Sequence, residues 1–291
     1  MKLVKDSRLI ISLVFVLSVF IFIITGCSTT PDFAEKNYPG VVVEDGRLLL
    51  YFNLSKDREL LDNFMSRYSE NDLSPIIKRT DRLSFSVAGL DPESNFSILA
   101  EGKYSKFFTN YAIGKDKNWE KHKDDYIWWE YKEYSLFASV PLKSVAIISS
   151  TDIDTNLEFI DSGSRNFIPE KVKTEFEQSA ITVYSHLPGA AIYKSLNIPL
   201  EKMLVQNLFF VVKKIEDNYS ISGVLDFSNN FDAKIFSIAL KLGLLMKMND
   251  TGKSAIMKVV HTSEINAVDN QIIINNILLD SNEMMTLLAG N

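Results

Sequence analysis

The sequence reads as an α+β protein: two similar units of antiparallel or mixed β-sheet with helices packed on one side, following an N-terminal signal peptide. Three observations predict this. Apolar or alternating runs of strand length recur along the chain. Only a few segments carry apolar residues at helical spacing. The order strand, helix, strand, strand, helix, strands occurs twice.

The first unit is assigned to residues 46–160. LLLYFNL, 48–54, is a strand, with Val41–Val43 a candidate before it. KDRELLDNFMSRY follows, with Leu60, Leu61, Phe64 and Met65 at helical spacing and Ser55 placed to cap it. Arg82–Ala88 alternates strictly, setting Leu83, Phe85 and Val87 on one face. Asn95–Glu101 is the next strand, and a short helix is expected near Lys106–Ala112. KDKNWEKHKDD, 115–125, is charge-dense and reads as a loop. Strands are then expected at Tyr126–Tyr131, Tyr134–Ser139 and Ser144–Ser149.

Residues 161–179 are polar, contain Gly163 and Pro169, and read as a connector. The second unit, 180–291, opens with strand Ala180–Ser185 and a short helix near Ala190–Ser195. Strands Leu208–Lys213 and Tyr219–Asp226 lead into a long helix, Asp232–Met248. Strands are expected near Ile256–Thr262 and Gln271–Ile274, and a helix at Ser281–Leu288 ends the chain. The two halves match locally. Asn95-Phe96-Ser97-Ile98 parallels Asn218-Tyr219-Ser220-Ile221, and Tyr104-Ser105 parallels Phe227-Ser228, each pair preceding a helix.

The amino terminus has its own logic. Lys2, Lys5 and Arg8 against Asp6 make a positive start, and residues 9–24 are apolar but for Ser12 and Ser18. At about 1.5 Å per residue a helix over this run spans roughly 24 Å, short of the ~30 Å hydrocarbon core. Ile24-Thr25-Gly26-Cys27 follows directly, and it resembles the lipobox of bacterial lipoproteins: aliphatic, small, Gly, Cys. The resemblance implies that residues 1–26 are a signal peptide removed before Cys27. The Cys27 sulfur then carries diacylglycerol, the new amine is acylated, with palmitate the expected acyl group, and residues 27–45 form a lipidated tether. Ser28 stands where an Asp marks inner-membrane retention in enteric bacteria, so the outer membrane is the favoured address within the cell envelope.

Composition excludes several functions. Removing residues 1–26 takes away three cations and one acid, moving the net charge from −6 to −8, which argues against nucleic acid as a partner. Cys27 is the sole cysteine, so disulfides, thiol catalysis and Cys-based metal sites are excluded in the remaining chain. His122, His186 and His261 lack ligand spacing, and no metal or cofactor is expected. Asp124-Asp125 and Asp152-x-Asp154 sit in turn-like polar stretches rather than in a patterned site. Nucleophile-elbow, P-loop and dinucleotide motifs are missing, and the chain is expected not to be an enzyme.

Two segments stand out. In YIWWEY, 126–131, alternation puts Ile127, Trp129 and Tyr131 on one face and Trp128 on the other. Such a strand is expected between layers; Trp128 and Trp129 are otherwise candidates for stacking a flat ligand or for anchoring at a membrane interface. In AKIFSIALKLGLLMKM, 233–248, Lys234, Ser237 and Lys241 fall within about 60° of the circumference, Lys247 comes near the end, and no acid intervenes. The run reads either as a central buried helix or as a helix lying on a bilayer, with Lys234, Lys241 and Lys247 facing anionic lipid. The lipobox, the Asn/Ile/Lys-rich exported domain and this apolar helix are similar to those of treponemal outer-membrane-associated lipoproteins. That resemblance implies α+β proteins whose amphipathic helices contact the inner leaflet, and assigns no residues. The function expected is that of a membrane-anchored envelope lipoprotein with a binding or envelope-organising role. The alternative is a module binding a lipid or other apolar ligand between its halves.

Overall fold

The computed structural model describes residues 48–68, 78–88, 94–123, 125–133, 135–142, 144–151, 153–154, 156–157, 168–186, 205–251 and 254–288. Cys27, the tether, Val41–Val43 and the helix expected near Ala190–Ser195 lie outside them. The fold is α+β, and the described residues divide into two compact units: 51–169, and 48–50 with 170–291.

The strands of the first unit are β1 (Leu48–Asn53, of which 48–50 group with the second unit), β2 (Thr80–Val87), β3 (Phe96–Gly102), β4 (Trp119–Lys123), β5 (Ile127–Tyr131), β6 (Leu136–Ser139) and β7 (Val145–Ser149). Helices α1 (Arg58–Tyr68) and α2 (Lys106–Ile113) interrupt them. The strand order is β1-β2-β3-β7-β6-β5-β4, and the pairings from β2 onward are antiparallel. Ile98, Ala100, Ala146, Ile148, Trp129 and Tyr131 face a core closed by Leu61 of α1 and Ile113 of α2. Leu83 and Phe85 pack against this core, as their alternation predicts.

Two readings of this unit are corrected. Residues 119–123, expected within a loop, are the edge strand β4, pairing Trp119 with Tyr131 and His122 with Trp128. Its charges are those of a protected sheet edge, and the buried Trp119 fixes its register. Ser55 does not cap α1: its backbone and hydroxyl both bond to Asn53 Oδ1, and Asp57 accepts the Leu60 N–H instead. A carboxylate at that position also suits the positive helix end.

The second unit contains α3 (Glu170–Gln178), β8 (Ile181–His186), β9 (Val205–Ile215), β10 (Asn218–Phe227), α4 (Asn230–Thr251), α5 (Ser254–Thr262), β11 (Glu264–Val268), β12 (Gln271–Asp280) and α6 (Ser281–Leu288). The strand order is β11-β12-β10-β9-β8, with antiparallel pairings throughout. Strict alternation along β10 turns Tyr219, Ile221, Leu225 and Phe227 inward. Gly223 in the same row lies beneath the Phe210 ring; a Cβ there would sit 2.2 Å from a ring carbon. α4 lays Ala233, Phe236 and Leu240 into the core, with Phe236 and Phe227 rings 5.2 Å apart. α3 approaches β9 on the face bearing Phe209 and Lys213.

Again two readings change. Residues 170–178, read as part of a connector, form α3, which buries Val172 and Phe176. Residues 256–262, read as a strand, belong to helix α5, which buries Val259 and ties Lys258 to Glu283 of α6 at 2.7 Å. A short apolar run rich in β-branched residues fits either element, and packing decides between them. β11, unforeseen, pairs Ile265 with Ile274.

Phe236→Ala is expected to cost about 3–5 kcal/mol, as core aromatic truncations do, whereas Leu242→Ala on the opposite side of α4 should stay within about 0.5 kcal/mol. Urea unfolding of the two variants checks the assignment of the faces.

Candidate functional site

Helix α4 has an apolar surface on two sides. Its core-side residues are Ala233, Phe236, Ser237 and Leu240. On the other side Phe231, Ile238 and Leu242 are 70%, 60% and 55% exposed, and Leu245 continues the stripe. At 100° per residue these four apolar side chains occupy roughly 60° of the circumference, and exposed Lys234 and Lys241 line one edge. The helix is therefore neither wholly central nor polar outside. Ser237, expected in the lysine slot, is buried, and its hydroxyl donates to the Lys234 carbonyl at 2.8 Å. That bond satisfies the hydroxyl within its own helix, which leaves the outer stripe to apolar side chains. The side chain of Lys247 lies outside the described residues.

A second exposed apolar surface belongs to α2. Phe107 and Tyr111 are 72% and 57% exposed, and Phe108 is also exposed. The Phe107 and Tyr111 rings stack at 6.5 Å with 6° between planes, and Lys115 Nζ lies 4.6 Å from the Tyr111 ring centroid. The inward residues are Thr109 and Ile113. The sequence locates this helix but not its exposed aromatics. Its only signal is that Phe107 and Tyr111 stand one turn apart, a spacing equally typical of a core stripe.

The tryptophans separate as alternation requires. Trp129 is buried in the first unit's core and donates Nε1 to Asn110 Oδ1 at 2.9 Å, joining β5 to α2. It offers no stacking surface. Trp128 is half-buried on the other face, where His122 covers it in parallel at 3.8 Å and Phe137 meets it edge-on. His122 Nε2 also reaches Glu130 at 3.4 Å. A ligand stacking on that face of Trp128 would have to displace His122.

The three histidines stand on β4, β8 and α5, and no group of three or more potential metal ligands occurs among the described residues. Asp124 and Asp152 lie outside them. Polar side chains are instead paired across strands. Asp226 accepts from Gln271 Nε2 at 2.8 Å and from Asn207 Nδ2 at 3.3 Å. Burial, followed by the nearby Asp226 charge, pushes the Tyr184 hydroxyl above its usual range. Burial likewise raises Tyr104, whose hydroxyl is hydrogen-bonded to Thr80. At Glu175 burial works upward, but hydrogen bonds from Lys213 and Ser179 prevail and hold the carboxyl below its ordinary value. These pairings tie neighbouring elements of the scaffold together.

Among the described residues no helix is long and apolar enough to cross a membrane.

The fold defines a class, an α+β protein built on antiparallel sheet. Residues 36–285 match the family described as outer membrane-associated lipoprotein TP0453, and the chain belongs to that family. Its place is the cell envelope, at the outer membrane. Solved structures share the fold. Crystal form I of TP0453 superimposes with a TM-score of 0.60 at 17% identity, covering 88% of this chain and 98% of that one. Crystal form III gives 0.62 at 15% identity, covering 89% and 100%. No curated protein matches the chain.

Because the folded-state pKa of Glu175 is lowered, its pairing stabilises the protein above the ordinary glutamate pKa, and that contribution is lost as pH falls through the folded value. Lys213→Met should cost about 0.5–1 kcal/mol at neutral pH, the worth of a partly screened pair. The difference from the parent should shrink below about pH 4.3. Denaturant titrations at pH 7 and in acid test the sign.

Proposed function

We propose that this protein is a non-enzymatic envelope lipoprotein, anchored through a lipid on Cys27, whose folded domain also touches the bilayer through the outer face of α4. The exposed stripe of Phe231, Ile238, Leu242 and Leu245 beside Lys234 and Lys241 carries this reading. An apolar stripe that the fold leaves in water is suited to contact, and a lipid interface accepts it without requiring a shape-matched partner. The occupant suits the charges: apolar side chains enter the acyl boundary while the lysines remain at anionic headgroups. Each apolar side chain still half-exposed gains about 1 kcal/mol on burial, and each lysine near an anionic surface about 1 kcal/mol more. Those gains suffice for reversible contact, while two or three acyl chains on Cys27 supply the permanent anchor. The family membership supports the setting, and the exposed aromatics of α2 supply a second surface of the same kind.

The anchor and the contact are tested separately. Cys27→Ser should abolish incorporation of labelled palmitate, and retained label would refute the anchor. A chain beginning at Ser28 should sediment with phosphatidylglycerol vesicles. Leu242→Glu should weaken that binding by about tenfold or more, since the loss of an apolar contact combines with a buried charge. Lys241→Glu should weaken binding to anionic vesicles and leave neutral ones little affected. Absence of vesicle binding, or binding indifferent to both substitutions, would sink the reading of α4.

A further inference from the structure

The first unit buries serines on the sheet face opposite its main aromatic core. Register places Ser86 opposite Ser97 and Ser97 opposite Ser149, so three hydroxyl side chains form a row across β2, β3 and β7. The next row is Ser84, Leu99 and Ile147, and the one beyond it Arg82, Glu101 and Val145. Ser84, Ser86 and Ser97 are 2%, 0% and 1% exposed, and their hydroxyls meet no hydrogen-bond partner among the described residues. Ser149 differs, donating to the Phe96 carbonyl at 3.3 Å and lying 3.0 Å from Thr151 Oγ1.

Sequence and structure give contrary impressions of this face. RLSFSVA has the pattern of a strand with one side in water, the serines on that side. The structure covers both sides. Leu99, Val145 and Ile147 are closed over by Ile153 and Leu157, so the apolar part of the face is packed. The hydroxyls beside it are orphans, and each buried polar group left unpaired costs on the order of 1–3 kcal/mol. Alanine or valine would avoid that cost, and valine suits a strand interior better. Directly opposed side chains on neighbouring strands have Cβ atoms about 4.5–5.5 Å apart, a spacing that a single water spans with a hydrogen bond to each side. Two rows along, the Arg82–Glu101 pair, 3.6 Å apart with Glu101 fully buried, adds a further polar element to this face.

We infer that this face is an internal water-binding site, with an ordered water bridging Ser86 Oγ and Ser97 Oγ. Buried waters of this kind take about three hydrogen bonds each from groups that would otherwise be unsatisfied. The serines are then structural ligands for solvent, which explains a water-facing pattern on a strand that faces none.

A crystal structure of the protein at a resolution that shows ordered solvent is the direct test. Density for a water within about 3.2 Å of both Ser86 Oγ and Ser97 Oγ is expected. Hydroxyls turned to protein carbonyls with no solvent between them would overturn the proposal, and so would a bound molecule other than water. Thermal unfolding adds an independent reading. Ser86→Ala and Ser97→Ala should each lower Tm by roughly 2–4 °C, because each strips a bridged water of one partner. Two variants with unchanged or raised Tm would mean that the hydroxyls hold nothing, and would count against the site.

Discussion

The second unit is governed by a mismatch of surfaces: α4 is apolar around most of its girth, and a sheet face can cover only one stripe of it. Ala233, Phe236 and Leu240 turn toward the sheet, and Phe236 against Phe227 fixes the rotation of the helix. Once that rotation is set, Phe231, Ile238, Leu242 and Leu245 must face outward. Their exposure is therefore a consequence of core packing. The same packing places Lys234 and Lys241 along the stripe, so the chemistry of the outer face and the stability of the unit depend on one helix orientation.

Small hydroxyl residues make this arrangement possible. Ser237 on α4 and Thr109 on α2 occupy inward positions, where a larger side chain would push the helix off its sheet. Ser237 is satisfied by the Lys234 carbonyl, so its burial is inexpensive. Both helices thus place a hydroxyl among their inward apolar residues and also leave aromatic or aliphatic groups outward, where an ordinary surface helix is polar. Exposed apolar groups of this kind promote association with another apolar surface.

Much of the scaffold is legible in short stretches of sequence. Strict alternation identifies β2 and β10, and the separation of Trp129 from Trp128 follows from the same period. Whatever depends on neighbours is not legible in this way. The edge strand β4 resembles a loop because its charges hide the single buried Trp119. Helix α5 resembles a strand because its short apolar run is rich in β-branched residues, although Ile256, Val259 and Val260 stand at helical spacing. The exposed aromatics of α2 leave no distinct mark, because an i, i+4 pair has the same spacing whether it points into a core or away from it.

The amino-acid pattern alone thus determined the α+β class, the order of most elements and the unusual apolarity of residues 233–248. These are properties of local composition and period, written in consecutive residues. The outward stripe of α4, the inward turn of Ser237 and the burial of Ser84, Ser86 and Ser97 were decided only by the assembled chain. Each depends on which surface another segment covers, and covering is a long-range competition for a limited sheet face that no single stretch of sequence records.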